Sequence, residues 1–289
     1  YIRNGGAHED RNSAEYKSFF QVYPGGPFAI PGSSVKGMLR NVVEIVSFGK
    51  IAGTRSNTTR VDDHRYALRD LHLDAYTSRI TSMQKINGIR TYTPKIRAGW
   101  LRQHDDSWSV TLCDFARVEQ EDLETYHDLP NMSLGRQQAS RDKYNRWGHQ
   151  LVIQFTLVRH NNQMQTVHKH SCGNLVYKRV HTIGHGDQQG TLVFTGQPSN
   201  RSPRSKHMEF VFFNDEQTAK PVSSAVKKDF IFAHSELGQN RTPNAEWLFW
   251  EPKLQNGEPV PVFVLLDSAS QEISSMGLAM MFRLPYTNS

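Results

Sequence analysis

Cysteine is nearly absent from this sequence, which contains only Cys113 and Cys172 among its 289 residues. Two cysteines exclude the disulfide framework of a small secreted protein and favour a reducing compartment, so we expect a cytoplasmic protein. Long apolar runs are absent as well: no stretch reaches the roughly 20 residues that a membrane-spanning helix needs, and we expect no membrane partner. The spacings of a P-loop and of a dinucleotide fingerprint are also missing, which argues against an enzyme acting on a phosphate ligand.

Acidic residues are fewer than basic ones. The 34 lysines and arginines stand against 28 aspartates and glutamates, which gives a formal net charge of +6, and 13 histidines are present besides. This balance favours a polyanionic partner such as a nucleic acid, with a merely basic protein as the alternative. Because the sequence opens on YIRNGG without an initiator methionine, we expect it to be part of a longer polypeptide.

The stretch AIPGSSVKGMLRNVVEIVSFG, residues 29–49, predicts a helix with an unusual beginning. Its apolar residues recur at helical spacing from residue 35 to residue 46, and Lys36 and Arg40 share the opposite face. Either Ser33 or Ser34 is expected to cap the helix.

A helix that begins at glycine is suited to hold a phosphate. The first four backbone N–H groups of a helix have no partner within it, and the helix dipole adds partial positive charge there. Gly32 lets a ligand backbone come close, and Gly37 removes a side chain where that backbone would pass. Lys36 and Arg40 add charge one turn apart. An ordinary capped amphipathic helix is the alternative interpretation of this pattern.

The pattern of the remaining chain predicts more strands than helices, with loops between them. Apolar runs predict strands at 108–118, 150–158, 190–196, 208–213 and 259–266. Ser223 and Ser224 precede a predicted helix with Val226, Phe230 and Ala233 on one side. Polar runs predict loops at 54–69 and 197–207, and a loop or exposed hairpin at 134–149.

The motifs of this chain resemble those of one known family. The segment PFAIPGSSVKGMLRNVVEIVSFG is similar to the signature of the CRISPR-associated RAMP superfamily, in which a Pro-Gly-Ser-Ser turn leads into the first helix. YIRNGG resembles that family's strand-end glycine motif, and PKIRAGWLR, CDFARVEQEDL, GTLVFTG, KHMEFVFF and MGLAMMFRLPY resemble the large RAMP proteins of type III-D-like systems.

The resemblance implies a fold and a function. The expected fold is α+β: a modified ferredoxin-like, RRM-like domain with an antiparallel sheet, an inserted thumb hairpin and long loops. Residues 1–130 would be its first half with the RNA-binding motif, 131–189 a basic insertion or thumb-like segment, and 190–289 its second half. The expected function is a CRISPR RNA-binding backbone subunit of a type III antiviral effector complex. Its partners would be guide RNA, target RNA, other RAMP subunits and a large signature subunit.

The resemblance also assigns candidate RNA contacts, which need no cofactor. Those of the motif are Gly32, Ser33, Ser34, Lys36 and Arg40. Further basic candidates are Lys95, Arg97, Arg141, Lys143, Arg146, Lys206 and His207, although charge runs also occur on ordinary solvated surfaces. Tyr144 and Trp147 could wedge a base out of a duplex, or one of them could anchor its segment to the core.

Target cleavage is an alternative function. Many backbone subunits of this family cut target RNA with an aspartate before the Pro-Gly-Ser-Ser turn. The acids there are Glu9, Asp10 and Glu15, with His8 as a possible base, and Asp10 is the catalytic candidate, with a divalent metal such as Mg²⁺. The family's position falls near Tyr16, so a scaffold role is the favoured expectation.

His168, His170 and Cys172, followed by His181 and His185, are of types that bind zinc. Alternating residues of a strand lie on one face without forming a tetrahedron, and a histidine-rich surface facing RNA explains them as well, so we expect no zinc.

Overall fold

The computed structural model describes residues 27, 30, 32–46, 67–68, 74–126, 129, 139–159, 165–170, 173–196, 208–235 and 243–285. Contacts divide the chain into two units, Tyr1–His64 and Arg65–Ser289. In the described part of the first unit the regular element is one helix, α1, Gly32–Val46. The helices of the second unit are α2 Asp74–Ile80, α3 Gln120–Tyr126, α4 Ser140–Trp147, α5 Ser224–Ala233 and α6 Ala245–Gln255.

The second unit also contains the described strands, which outnumber its helices. They are β1 Ala67–Leu68, β2 Thr81–Ile86, β3 Ile89–Pro94, β4 Arg97–His104, β5 Ser107–Glu119, β6 Val152–Leu157, β7 Thr166–His170, β8 Gly173–Tyr177, β9 Val180–Ile183, β10 Gln188–Val193, β11 Met208–Phe213, β12 Ala219–Pro221, β13 Val260–Leu266, β14 Ile273–Gly277 and β15 Leu284–Pro285.

Nine of these strands form one antiparallel sheet in the order β14-β13-β4-β5-β11-β10-β6-β9, with β12 paired to β5. The segment before β9 returns to the end of β5, because the backbone N–H of Arg117 donates to the carbonyl of Lys178 at 3.0 Å. A parallel bridge between Arg117 and Arg179 continues this contact. The β9 end of the sheet therefore returns to the last residues of β5, at Arg117.

A second sheet has four strands in the order β2-β3-β8-β7. Its β2–β3 pair is a hairpin whose two-residue turn, Asn87-Gly88, has both φ angles positive, at 50° and 79°. Asn-Gly favours this turn because both residues tolerate the left-handed region. Strand β3 continues the sheet by parallel pairing to β8, with Thr91 opposite Asn174. A short pair, β1 with β15, completes the described strands.

The two faces of β5 serve two hydrophobic clusters, as the alternation of side chains along a strand requires. Leu112 and Ala116 belong to the cluster that includes Phe230 of α5 and Trp247 of α6. Cys113 belongs to the other cluster, which covers the opposite face. This face includes Phe115 and Arg117, and it is called the outer face below.

The α+β class with mainly antiparallel sheets is confirmed, and so are the predicted strands at β5, β6, β10, β11 and β13. The predicted helix after Ser223 is also confirmed, and Ser223 caps it by accepting from the N–H of Val226. Two predictions are wrong. Residues 140–147 form α4 rather than a loop or hairpin, and α1 begins at Gly32, so that Ser33 and Ser34 lie within its first turn instead of capping it.

Within the described residues, no helix has the length and apolar character needed to cross a lipid bilayer.

Candidate nucleic-acid interface

Helix α1 begins at the glycine of the Pro-Gly-Ser-Ser motif. Gly32, Lys36 and Gly37 are exposed, and a Cβ atom added at either glycine would have no neighbour within 4 Å. Met38 and Leu39 are more than half exposed in the same helix. The exposed glycines and Lys36 leave one side of the first turn free for the close approach of another chain, within the described part of this unit.

Lys143 is a correction to the predicted RNA contacts. Its side chain is fully buried, and its Nζ donates to Glu209 Oε1 at 2.7 Å and to the carbonyl of Thr195 at 2.9 Å. Gln120 Nε2 also donates to Glu209 Oε1, at 2.7 Å. A lysine that is buried and paired with a carboxylate in this way is not a surface contact for a polyanion.

Tyr144 anchors α4 to the core, which was one of the two alternatives for this residue. It is buried, and its hydroxyl accepts a hydrogen bond from the backbone N–H of Phe194 at 2.9 Å. Burial raises the pKa of Tyr144 well above its ordinary value. Trp147 is half-buried and packs against the same cluster, with its ring centroid 5.8 Å from that of Phe194.

The other basic candidates lie at the surface in different surroundings. Arg97 forms an ion pair with Glu216 at 2.8 Å, and Lys95 donates to the carbonyl of Ser78 at 2.8 Å. On α4, Arg141 lies 3.3 Å from Asp142, and Arg146 lies over the ring of Trp147. These cations remain accessible, since exposed pairs of this kind contribute little stability and exchange easily. Arg40 is within α1, and Asp10, Lys206 and His207 lie outside the described residues.

The β2–β3 hairpin carries an apolar and basic surface that the sequence analysis missed. Met83, Ile86 and Ile89 are 51%, 52% and 51% exposed, and they are interleaved with the exposed cations Lys85 and Arg90. The Asn87-Gly88 dipeptide between two β-rich runs was the available signal. The resemblance placed a thumb hairpin within 131–189, where the structure has the β7–β8 pair.

Arg117 was also missed, because it lies within a predicted strand. Its guanidinium lies 4.4 Å from the ring centroid of Tyr177 and 3.8 Å from the sulfur of Met280. Its register partner on β11 is the buried Phe210. Burial in these surroundings lowers the pKa of Arg117.

A cleft of about 560 Å³ lies at the end of β6, beside residues of β9 and the residue before β10. The cleft is lined by Thr156, Leu157, Val158, Arg159, His181 and Asp187. Two of these lining residues are apolar and four are polar or charged, with both signs of charge present, and the volume is within the usual range of ligand sites.

In the described part of the chain, no three His, Cys, Asp or Glu side chains are placed to hold a metal ion. His168 is exposed in β7, whereas Cys172 lies outside the described residues. Cys113 is buried as a small apolar residue, and its burial raises the pKa of its thiol. That thiol is therefore unsuited to nucleophilic chemistry at neutral pH.

Comparison of the sequence with protein-family models gives no match. Comparison with curated proteins gives none either.

Proposed function

We propose that the chain binds CRISPR guide RNA as a backbone subunit of a type III RNA-guided complex. In this role it holds the guide by its phosphates and presents it for pairing with target RNA, so that base pairing rather than protein side chains supplies the sequence specificity. A RAMP domain would provide the fold, and the observed antiparallel α+β architecture is compatible with it.

The observation that carries the proposal is the coincidence of the Pro-Gly-Ser-Ser motif with the beginning of α1. Helix α1 begins at Gly32, so its unpaired N–H groups fall within the motif that resembles the RAMP signature. Lys36, one turn further on, is exposed. Backbone donors, a helix dipole and a free ammonium together are suited to the phosphates of a nucleotide chain.

The β2–β3 hairpin supports the same proposal. Its exposed Ile86 and Ile89 flank the turn, and the exposed Lys85 and Arg90 stand next to them in the sequence. Apolar side chains of this kind insert between bases, while adjacent cations contact phosphates. We assign this hairpin, rather than a hairpin in 131–189, the part of the thumb that the RAMP resemblance implies.

The test measures how tightly a fluorescently labelled single-stranded guide RNA binds at several salt concentrations. The test variant is Lys36→Glu, and its matched control is Lys228→Glu, since Lys36 and Lys228 are each the fifth residue of their helix and each is exposed. We expect Lys36→Glu to weaken binding at least tenfold and to flatten the salt dependence, while Lys228→Glu leaves both unchanged. Equal affinities for the two variants would contradict the proposal.

The endoribonuclease alternative depends on Asp10, which lies outside the described residues. It remains a prediction with its own test: in an assembled complex, Asp10→Ala either removes one target cleavage site or leaves the cleavage ladder unchanged. The scaffold role predicts an unchanged ladder.

A further inference from the structure

Arg117 is a desolvated cation that lacks a carboxylate partner among the described residues. Its contacts there are the Tyr177 ring and the Met280 sulfur, neither of which is a strong acceptor. The guanidinium has five N–H donors, and these two contacts give them no strong hydrogen-bond acceptor. Burying a charged group without such an acceptor is unfavourable. An anion that reached it would gain bidentate hydrogen bonds at little further desolvation cost.

The carboxylates near Arg117 are engaged by other cations. Glu119 lies two residues further along β5 on the same face, and Arg179 holds it at 3.0 Å. Asp114 is on the other face, where Lys178 holds it at 2.9 Å. Both acids are therefore neutralised by neighbours, and neither competes for the Arg117 guanidinium.

The backbone register places Arg117 and the cleft on one face of the sheet. Arg117 is bridged to Arg179, whose carbonyl accepts from the N–H of Val158 at 2.9 Å. Leu157 and Val180 face the opposite side, in the core cluster with Ala116, so Val158 shares the outer face with Arg117. Two strand spacings of about 4.8 Å separate the arginine from the cleft residue Val158.

The cleft offers the polar groups that a nucleotide requires. Arg159 is exposed at its rim and has no ion-pair partner among the described residues, and His181 is exposed beside it. Asp187 also lines the cleft, where a carboxylate repels phosphate but accepts hydrogen bonds from ribose hydroxyls or base amines. A nucleotide within an RNA chain presents both a phosphate for the cations and ribose or base donors for the carboxylate.

We infer that this outer face is a second RNA-binding site, in which Arg117 holds one phosphate of a single-stranded RNA and the cleft holds a nearby nucleotide through Arg159, His181 and Asp187. This inference rests on the proposed RNA-binding function and extends it to the second unit. It also gives a reason for a half-buried arginine near the end of β5 that has no carboxylate partner among the described residues.

The experiment measures single-stranded RNA binding by the whole chain with the variants Arg117→Gln and Arg159→Gln. Arg102→Gln is the matched control: Arg102 is exposed, follows the outer-face residue Trp100 by two positions, and pairs with Ser109, eight residues before Arg117 on β5. Arg117→Lys is included because it keeps the positive charge but cannot form the bidentate hydrogen bonds of a guanidinium. Thermal melting of each variant checks that the fold is retained, and Arg159→Gln keeps the test valid if Arg117→Gln does not fold.

We expect both glutamine variants to bind RNA about tenfold more weakly with a shallower salt dependence, Arg117→Lys to be intermediate, and Arg102→Gln to match the unaltered chain. If the unaltered chain binds RNA and both glutamine variants match it, the second site is wrong while the proposed function stands. If the unaltered chain binds no RNA, both fail. If millimolar inorganic phosphate raises the melting temperature of the unaltered chain but not that of Arg117→Gln, while the two bind RNA equally, the arginine is a free-anion site and the RNA assignment is overturned.

Discussion

Lys143 Nζ lies 2.7 Å from Glu209 Oε1, and neither side chain has any exposed surface. The pair joins α4 to β11 across 66 residues of sequence, and Glu209 Oε2 also accepts from the N–H of Thr195 at 2.9 Å. A buried charge pair of this kind fixes where a polar helix docks, because either charge alone would be left without compensation in the interior.

Lys143→Met is expected to destabilise the second unit strongly. Removing the ammonium takes away the cation that balances the buried charge of the Glu209 carboxylate, which costs about 3–5 kcal/mol in the free energy of unfolding. Urea unfolding measures this change, and Arg141→Ala on the exposed side of the same helix is the control. The double variant Lys143→Met with Glu209→Gln should recover part of the loss, because the amide removes the buried charge and keeps an acceptor for Gln120 or Thr195. If Lys143→Met instead unfolds like the unaltered chain and loses RNA affinity, Lys143 is a ligand contact after all.

Arg117→Met is expected to separate stability from binding. Replacing a desolvated, unpaired guanidinium by an apolar side chain leaves the free energy of unfolding unchanged or raises it by up to about 1 kcal/mol, as for other buried charges replaced by apolar groups. RNA affinity should fall over the same change. A calorimetric melt beside a binding titration measures both, and a loss of stability of about 2 kcal/mol or more would mean that the arginine has a structural role.

His234 predicts a pH dependence of stability. Its ring is buried, Nδ1 donates to the Phe230 carbonyl at 2.8 Å, and burial lowers its pKa from 6.5 to about 4, with Arg283 adding to the effect. Between these two values the unfolded chain takes up a proton that the folded chain refuses. Stability should therefore fall by up to about 3 kcal/mol as the pH is lowered from 6.5 to 4.

Unfolding by urea at a series of pH values tests this expectation. His234→Gln should lose that part of the pH dependence, whereas His104→Gln should keep it, because the His104 side chain is 97% exposed. A His234→Gln profile that is parallel to that of the unaltered chain throughout this window would show that another group is responsible.

Gly37→Ala tests whether a ligand passes over the first turns of α1. Because nothing in the structure lies within 4 Å of the added Cβ atom, the change should favour the helix by up to about 1 kcal/mol. RNA binding should nevertheless weaken severalfold, since the methyl group lies on the ligand's path. Thr125→Ala on α3 is the control, with a gain in helix propensity at an exposed position of a helix that carries no candidate RNA contact. Tighter RNA binding by Gly37→Ala would place the RNA elsewhere.

The sequence was sufficient to predict those strands and helices that are determined by their own pattern of apolar and capping residues. Strand β11 is apolar at every position except Glu209, and α5 combines a serine cap with Val226 and Phe230 one turn apart. Helix α4 has no such pattern. It depends on the hydrogen bond from Lys143 to a glutamate 66 residues away, and short-range sequence patterns carry no information on contacts between residues so far apart.

The same limit applies to the candidate sites. The Pro-Gly-Ser-Ser segment could be recognised because its function is local to one turn. Arg117 could not be singled out, because Glu119, the acid two residues away on the same face, is held by Arg179, and these residues meet only through sheet topology. Long-range pairing, rather than residue type, decides which cations are free.

The most direct test of the account is a density map of this chain with guide RNA bound. The account predicts a phosphate of the RNA within hydrogen-bond distance of the backbone N–H groups in the first turn of α1, with the Lys36 ammonium beside it. RNA ordered elsewhere, with the beginning of this helix facing protein or bare solvent, would contradict it.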